Sequence, residues 1–144
     1  MRVSNILKRK GSNVITVAPI AAVAEVVKVL QMKRIGAILV VDGGKIAGIV
    51  SERDITRGLA EHGAAVLDLP VSALMTHSVT TCSPESTIED IMHLMTDGRI
   101  RHLPVVEGGH LVGFISIGDV VKNRLQELEA EKNQLRKYVT GSSY

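Results

Sequence analysis

Apolar residues follow two alternating patterns along the first half of the chain. A stripe at helical spacing comes first and consists of Val23, Val26, Val27 and Leu30. Positions three and four apart share one face of a helix, so this stripe predicts a helix packed on a core. Two nearly continuous apolar runs follow at residues 38–41 and 46–50, and such runs predict strands that are covered on both faces. Gly43 and Gly44 lie between them and supply the positive φ that a tight hairpin needs.

The same pattern recurs 65 positions later without a gap. The second stripe and hairpin turn consist of Ile88, Ile91, Met92, Met95, Gly108 and Gly109. A short strand-like run also precedes the first helix at residues 13–17. Self-similarity of this length indicates two copies of one supersecondary unit. We therefore predict a mixed α/β (α+β) fold built from two β-α-β-β-α units.

Individual residues predict where the two helices with apolar stripes begin and whether their apolar faces are covered. Pro19 is expected to open the first helix, because proline is tolerated in a first turn. Ser86 and Glu89 match a capping box at the start of the second. Met92 and Met95 on that second helix would stay uncovered in a monomer, so we expect a homodimer.

The two ends of the chain have patterns of their own. Val3, Ile6 and Leu7 precede a basic turn and a glycine, which predicts a short N-terminal helix. From Val120 onward the spacing predicts a helix of about 20 residues, either a coiled-coil strand or a brace on its own domain. Its heptad-like face consists of Val121, Leu125, Leu128, Leu135 and Val139, with Lys132 in the gap. The expected divisions are an N-terminal lead-in, a first unit, a linker with the second unit, and a C-terminal helix with its tail, at residues 1–13, 14–66, 67–125 and 126–144.

Each copy closes with the same spacing of serine and aspartate, where a strand runs into a helix. Ser51 and Asp54 close the first copy, and Ser116 and Asp119 close the second. Ser-x-x-Asp is a form of capping box, in which the serine caps the helix and the acid returns the hydrogen bond. A helix N-terminus also attracts anions, so the serine can donate to a phosphate while the aspartate accepts from ribose hydroxyls. A single copy favours capping, and the duplication adds weight to the binding interpretation.

Composition and charge narrow the function classes. Aromatic residues make up 2% of the chain, so the core is aliphatic and ring stacking on a ligand is not available. The net charge of +2 does not by itself imply nucleic acid. Cys82 is the single cysteine, which fits a reducing compartment and an inert thiol. The histidines lack metal-ligand spacing and no apolar stretch has the length of a membrane span, so we expect a cytoplasmic protein without a metal.

Together these features resemble a tandem pair of cystathionine-β-synthase (CBS) domains. The resemblance is carried by the repeated unit and by the closing Gly-x-x-Ser-x-x-Asp motifs that begin at Gly48 and Gly113. It covers roughly residues 14–125 and implies two units packed through their small sheets about a pseudo-twofold axis. It also implies homodimerisation and a non-catalytic role in regulating an unknown protein. The implied ligands, bound in two clefts between the units, are AMP, ADP, ATP, NAD(H) or S-adenosylmethionine.

The family pattern assigns residues of this chain to each cleft. For the first cleft the resemblance implies Ser51, Asp54, His77, Ser78, Val79, Gly36 and Ala37. For the second cleft it implies Ser116, Asp119, Ser12, Asn13, Val14, Arg101 and His102.

The resemblance also implies that the two clefts differ in charge. Arg53 lies inside the first motif, where the second copy has Gly118. Arg101 and His102 in turn align with uncharged residues of the first copy. We expect these three side chains to contact phosphate, and we expect the cleft with Arg53 to bind more tightly because charge-assisted contacts are the stronger ones.

Two other classes of function stay open at this point. The basic segment Lys8-Arg9-Lys10 and the charged residues 132–137 suggest a small nucleic-acid-binding protein. A nucleotide-hydrolysing enzyme is the other alternative, although the sequence has no recognisable nucleophile with its base and no metal set.

Overall fold

The computed structural model describes residues 1–140, which divide into two compact units. The repeat-1 unit is Val14–Thr80, and the repeat-2 unit combines Met1–Asn13 with the chain from Thr81 onward. The units therefore differ in extent from the divisions expected at residues 13, 66 and 125. The N-terminal helix belongs to the unit of the second copy, and residues 67–80 belong to the unit of the first.

The repeat-1 unit contains a three-stranded sheet with helices around it. Its elements are β1 Thr16–Val17, α2 Val23–Lys33, β2 Ala37–Asp42, β3 Lys45–Ser51 and α3 Glu52–His62, followed by 3-10 turns at Gly63–Asp68 and Val71–Ala73. β1 runs parallel to β2, and β2 pairs antiparallel with β3. The hairpin turn uses Gly43 and Gly44 at φ values of 57° and 81°, as the sequence predicts.

The repeat-2 unit contains the corresponding hairpin, an additional N-terminal helix and a longer closing helix. Its elements are α1 Val3–Lys10, α4 Ile88–Gly98, β4 His102–Glu107, β5 His110–Ser116 and α5 Ile117–Val139. The strand that would match β1 is reduced to a single parallel bridge from Cys82 to Val105. That bridge is equivalent by the repeat to the pairing of Val17 with Val40. The predicted mixed α/β fold with a short first helix and a long last helix is confirmed.

Each unit has its own aliphatic core. The repeat-1 core includes Val23, Val26, Leu30, Ile38, Val40, Val50 and Ile55. The repeat-2 core includes Val3, Ile6, Ile88, Ile91, Met95, Leu103 and Ile115. Met95 is only 3% exposed while Met92 is 39% exposed, so the expectation that both stay uncovered was wrong for Met95. The unit buries Met95 itself, in the same core as Leu103 of β4 and Ile115 of β5.

Two predicted helix starts are shifted in the structure. Pro19 lies in a turn closed by Ala21 N donating to Ala18 O, and α2 begins only at Val23. At α4 the cap is Thr87, which accepts from Asp90 N at 3.1 Å. Ser86 is already engaged in the preceding turn, where its hydroxyl accepts from Ser83 N. The neighbouring residue therefore takes the capping role.

Candidate functional site

Both Ser-x-x-Asp motifs form reciprocal capping boxes. Ser51 Oγ accepts from Asp54 N at 3.3 Å, and Asp54 Oδ2 accepts from Ser51 N at 2.9 Å. Ser116 and Asp119 repeat this arrangement at 3.2 Å and 2.8 Å. In each pair the serine hydroxyl also donates to the carboxylate, at 3.1 Å and 3.0 Å. The capping interpretation is thus confirmed for both copies, and it fixes the serine and the aspartate at the first turn of α3 and of α5.

The start of each middle strand lies beside the motif of its own unit. Glu52 N, the first helical donor of α3, bonds to Gly36 O at 3.0 Å. Ile117 N at the start of α5 bonds to Arg101 O at 2.8 Å. The register then pairs Ala37 with Ser51 and His102 with Ser116. The strand starts that the family pattern assigns to the two sites are therefore direct neighbours of the motifs.

The segment leading into the second copy lies along the first motif's strand. Thr76 exchanges backbone hydrogen bonds with Ile49 of β3, at 2.8 Å and 3.0 Å. Three further residues assigned to the first site follow Thr76 directly: His77 and Ser78, both exposed, and the half-buried Val79. The same unit thus holds this whole residue set.

The N-terminal segment approaches the second motif in a related way. Lys10 Nζ donates to Phe114 O at 2.8 Å and to Asp119 Oδ2 at 2.6 Å. Ser12 and Asn13 follow two and three residues later, both exposed, and belong to the same unit. Val14 belongs to the repeat-1 unit.

Lys10 is a charged neighbour of the second motif, and sequence analysis did not identify it as a site residue. Partial burial by itself would raise the pKa of the Asp119 carboxyl, but the hydrogen bonds from Lys10 and Ser116 and the charge of Lys10 outweigh it, so the pKa is lowered. The repeat offset places Met75 opposite Lys10 in the first copy, so only the second motif has this cation. Aligning the two copies reveals that the residue types differ. The contact itself joins residues that are 109 positions apart, so it is visible only in the folded structure. A pocket of about 200 Å³ lies here, lined by Ile6, Arg9, Lys10, Asp119 and Lys122.

The two motif aspartates differ in how open their carboxylates are. Asp54 Oδ1 accepts from Arg57 at 3.4 Å, and the side chain is 8% exposed. Asp119 is 25% exposed, and within residues 1–140 its Oδ1 has no hydrogen-bond partner. The second copy therefore has a cation on one carboxylate oxygen and an open acceptor on the other.

The remaining charged candidates lie around the helix starts. Arg53 is exposed at the second residue of α3, and no other residue of the described chain pairs with it. Arg101 is exposed, and His102 is half-buried with its ring stacked on Phe114 at a centroid distance of 5.7 Å. Arg53 and Arg101 thus present free cationic groups, while His102 is held by the aromatic ring.

The structure also bears on the reactivity of the cysteine, on metal binding and on membrane spans. Cys82 is buried, and burial raises the pKa of its thiol to about 11, which fits the expected inert thiol. Among residues 1–140 no cluster of histidine, cysteine and acidic side chains is suited to hold a metal ion. None of the helices within that range is both long and apolar enough to cross a membrane.

Comparison with known families decides the relationship. The CBS domain family matches residues 3–61 and again residues 71–125. The chain belongs to the CBS-domain family. This CBS-domain chain is 33% identical to the mitochondrial CBS domain-containing protein CBSX3 of Arabidopsis thaliana, covering 96% of the chain and 72% of the relative.

Solved structures of CBS-domain proteins are similar to this chain as well. The CBS-domain containing protein ATU1752 from Agrobacterium tumefaciens matches with a TM-score of 0.84 and 46% identity, over 86% of this chain and 99% of that one. The CBS domain pair of protein MJ0100, in complex with 5′-methylthioadenosine and S-adenosyl-L-methionine, matches with a TM-score of 0.78 over 88% of this chain and 98% of that one. At 24% identity this match shows a shared fold and nothing further.

Proposed function

We propose that this CBS-domain protein is a non-catalytic regulatory module that binds adenosine-containing ligands at its two Ser-x-x-Asp motifs. CBS-domain pairs are regulatory modules. The observation that carries the proposal is the duplicated motif at a helix N-terminus, with a strand start and a leading segment beside each copy. MJ0100, a protein of the same fold, binds ligands of this chemical class. AMP, ADP, ATP, NAD(H) and S-adenosylmethionine are the candidates for this chain.

Each side chain of the motif has a defined role in the proposal. Ser51 and Ser116 would donate to phosphate together with the backbone N–H of the second helical residue, Arg53 or Gly118, at the helix end where the dipole favours an anion. The N–H groups on either side of it already bond to the strand start and to the serine. Asp54 and Asp119 would accept from the ribose hydroxyls. To donate to phosphate, each serine must turn its hydroxyl proton away from the aspartate, which the backbone half of the capping box permits.

The surrounding residues would then shape the two sites. The first site would use Gly36, Ala37, His77, Ser78 and Val79, with Arg53 on the phosphate side. The second site would use Ser12, Asn13, Val14, Arg101 and His102, with Lys10 as an additional cation. Without Trp and with one Phe in the chain, aliphatic side chains and backbone groups would contact the adenine.

Isothermal titration with AMP, ADP, ATP, NAD, NADH and S-adenosylmethionine tests the ligand class. At least one of the six is expected to bind and to raise the melting temperature through mass action. Product analysis after incubation with ATP tests the non-catalytic part, and unchanged ATP is the expected result. A chain that binds none of the six, or one that releases ADP or AMP from ATP at a steady rate, contradicts the proposal.

The structure weakens the nucleic-acid alternative for the N-terminal basic segment. Lys10 is paired with Asp119. The Asn123 amide, in the orientation that satisfies both of its groups, accepts from Arg9 at 2.6 Å. Two of the three basic side chains at residues 8–10 are therefore hydrogen-bonded inside their own unit, which leaves Lys8 as the one without such a bond in the described part of the chain.

Partner and location complete the proposed function. The ligand would alter how the module engages a regulated protein, which the fold does not identify. We also propose that the module works as a homodimer. A cytoplasmic location would fit the single cysteine, since reducing compartments keep thiols free.

A further inference from the structure

Helix α5 carries two stripes of side chains on different faces. The first stripe, Val120, Asn123 and Glu127, packs on its own unit, and Val120 and Asn123 are each 1% exposed. The second, which we call the seam, consists of Val121, Leu125, Leu128, Leu135 and Val139, with exposures of 48%, 61%, 44%, 62% and 74%. The family match ends at residue 125, so most of the seam lies beyond the CBS domains. An apolar stripe of this length on an exposed helix indicates an interaction surface.

The spacing of the seam is that of a coiled coil. Its positions alternate in steps of four and three once Lys132 is included. Val121, Leu128 and Leu135 then occupy d positions, and Leu125, Lys132 and Val139 occupy a positions. A single lysine at an a position, which would face its own counterpart in a parallel pair, is a known device for fixing register and the number of strands at a cost in stability. We propose that α5 pairs along this seam with the α5 of a second copy of the chain, as a parallel, in-register, two-stranded coiled coil.

The charges beside the seam select this partner and this direction. In a parallel pair each g residue faces the e residue of the next heptad on the other helix. Arg124 would then face Glu129 of the second copy. Glu131 would likewise face Arg136 of the second copy. Because the pair is symmetric, each attractive contact forms twice.

The antiparallel arrangement has the opposite charge pattern. With the seams fully overlapped, residues at e face e and residues at g face g. Glu129 and Glu131 would each face their own counterpart, and Lys122 would face Arg136. Like charges placed opposite one another are destabilising. The same side chains that favour the parallel pair therefore disfavour the antiparallel one.

The helix is already formed before it pairs. Its N-terminus is closed by the capping box of Ser116, and its first turns are anchored on the unit by Val120 and Asn123. Helix nucleation is the costly step for a short helix, so pairing does not have to supply it. Arg124 also donates to Glu127 within α5 at 2.8 Å. Its guanidinium has five N–H donors and can serve a second carboxylate.

A matched pair of charge reversals tests the arrangement in the full-length protein. Arg136→Glu at an e position replaces two attractive contacts with repulsive ones, so the dimer dissociation constant measured by analytical ultracentrifugation should rise about tenfold. Lys137→Glu makes the same charge change one residue away, at an f position outside the seam, and should leave the constant unchanged. The double variant Glu131→Lys with Arg136→Glu restores opposite charges and should return it to the wild-type value. Circular dichroism on each variant verifies that α5 is retained.

A cross-linking experiment reads the direction of pairing independently. Leu125→Cys in a Cys82→Ser background places two a-position thiols within disulfide reach only when the helices are parallel and in register. A covalent dimer is expected under mild oxidation, and Gln126→Cys at the adjacent b position should give none. A monomeric wild-type protein overturns the proposal, as do equal effects of Arg136→Glu and Lys137→Glu. A tighter dimer in Arg136→Glu would instead assign the antiparallel arrangement. These measurements need no adenosine ligand, so their failure does not bear on the proposed ligand binding. A monomeric wild-type protein would contradict the proposed homodimer as well.

Discussion

Lys10 Nζ lies 2.6 Å from Asp119 Oδ2, and this ion pair joins the end of the first helix to the first turn of the last. The residue at the equivalent place in the first copy is Met75, which has no charge. The two motifs share their capping geometry within about 0.1 Å and differ in the cation that contacts the aspartate, which is Lys10 of another helix in the second copy and Arg57 of the same helix, at the longer distance of 3.4 Å, in the first. The lowered pKa of Asp119 makes the stability of the second motif depend on pH.

Replacement of Lys10 by methionine should flatten the acid side of the stability curve. Because the pKa of Asp119 is lowered in the folded protein, its stabilising contribution is present above the ordinary carboxyl pKa and is lost as pH falls through the lowered value. Lys10→Met removes the main cation responsible, at a cost of up to about 1 kcal/mol near neutral pH because both side chains are partly exposed. Thermal unfolding measured from about pH 3 to pH 7 gives both the loss of stability near neutral pH and the change in its dependence on acid.

Lys8→Met is the matched control for that experiment. Lys8 lies on the same helix and is exposed. Its substitution should leave the acid limb of the curve as in the wild type. If Lys10→Met and Lys8→Met give the same curve, the ion pair does not stabilise the fold.

The two motif glycines should respond differently to alanine. A Cβ on Gly48 would lie 2.8 Å from the Thr76 carbonyl oxygen, which is held by its backbone pairing with Ile49. The atoms nearest to a Cβ on Gly113 would all belong to the Leu7 side chain, with Cδ2 at 2.5 Å. Leu7 can shift at lower cost than a paired backbone. Gly48→Ala should therefore reduce the free energy of unfolding by about 1–3 kcal/mol, and Gly113→Ala by less.

A second substitution separates the two causes. Leu7→Ala should relieve Gly113→Ala, so the double variant loses less stability than the two single losses added together. A Cβ on Gly48 would also lie 2.7 Å from Met75 Sδ, but Met75→Ala should not rescue Gly48→Ala, because the Thr76 carbonyl remains in place. Urea denaturation gives these free energies. Equal losses for the two alanine variants would show that the backbone at Thr76 yields as readily as a side chain.

Sequence reasoning succeeded where the determining contacts are local. The hairpin turns at Gly43 and Gly108 and the capping boxes at Ser51 and Ser116 depend on residues within a few positions, so the repeat revealed them. The ion pair of Lys10 with Asp119 spans 109 positions and could not be read from spacing. The burial of Met95 was missed for a related reason. Helical periodicity identifies the apolar stripe but does not show which side of it meets the sheet.

Loss of either motif aspartate should separate capping from ligand binding. Asp54→Ala and Asp119→Ala each remove half of a capping box, which should cost about 1 kcal/mol of stability. Under the proposed function each variant should also lose one class of adenosine site. Thr87→Ala is the matched control, because it removes the cap of α4 and lies in neither motif. If all three variants melt lower and bind the ligand panel like the wild type, the motifs act as caps alone.

Inequality of the two adenosine sites is our last prediction, and it depends on three cations. Arg53 is free at the first turn of α3, whereas Lys10 and Arg101 stand beside the second motif. Because Lys10 adds a cation beside the second motif, we do not rank the first site as the tighter one. We predict instead which substitution weakens which site. Titration with AMP or ATP should be biphasic, and Arg53→Gln should weaken one phase about tenfold while Lys10→Met weakens the other, since charge-assisted contacts are about twice as strong as neutral ones. Lys28→Gln, a charge loss in the middle of α2, should change neither phase. A single phase of two equal sites, or the loss of the same phase in both variants, would show that these cations do not belong to separate sites.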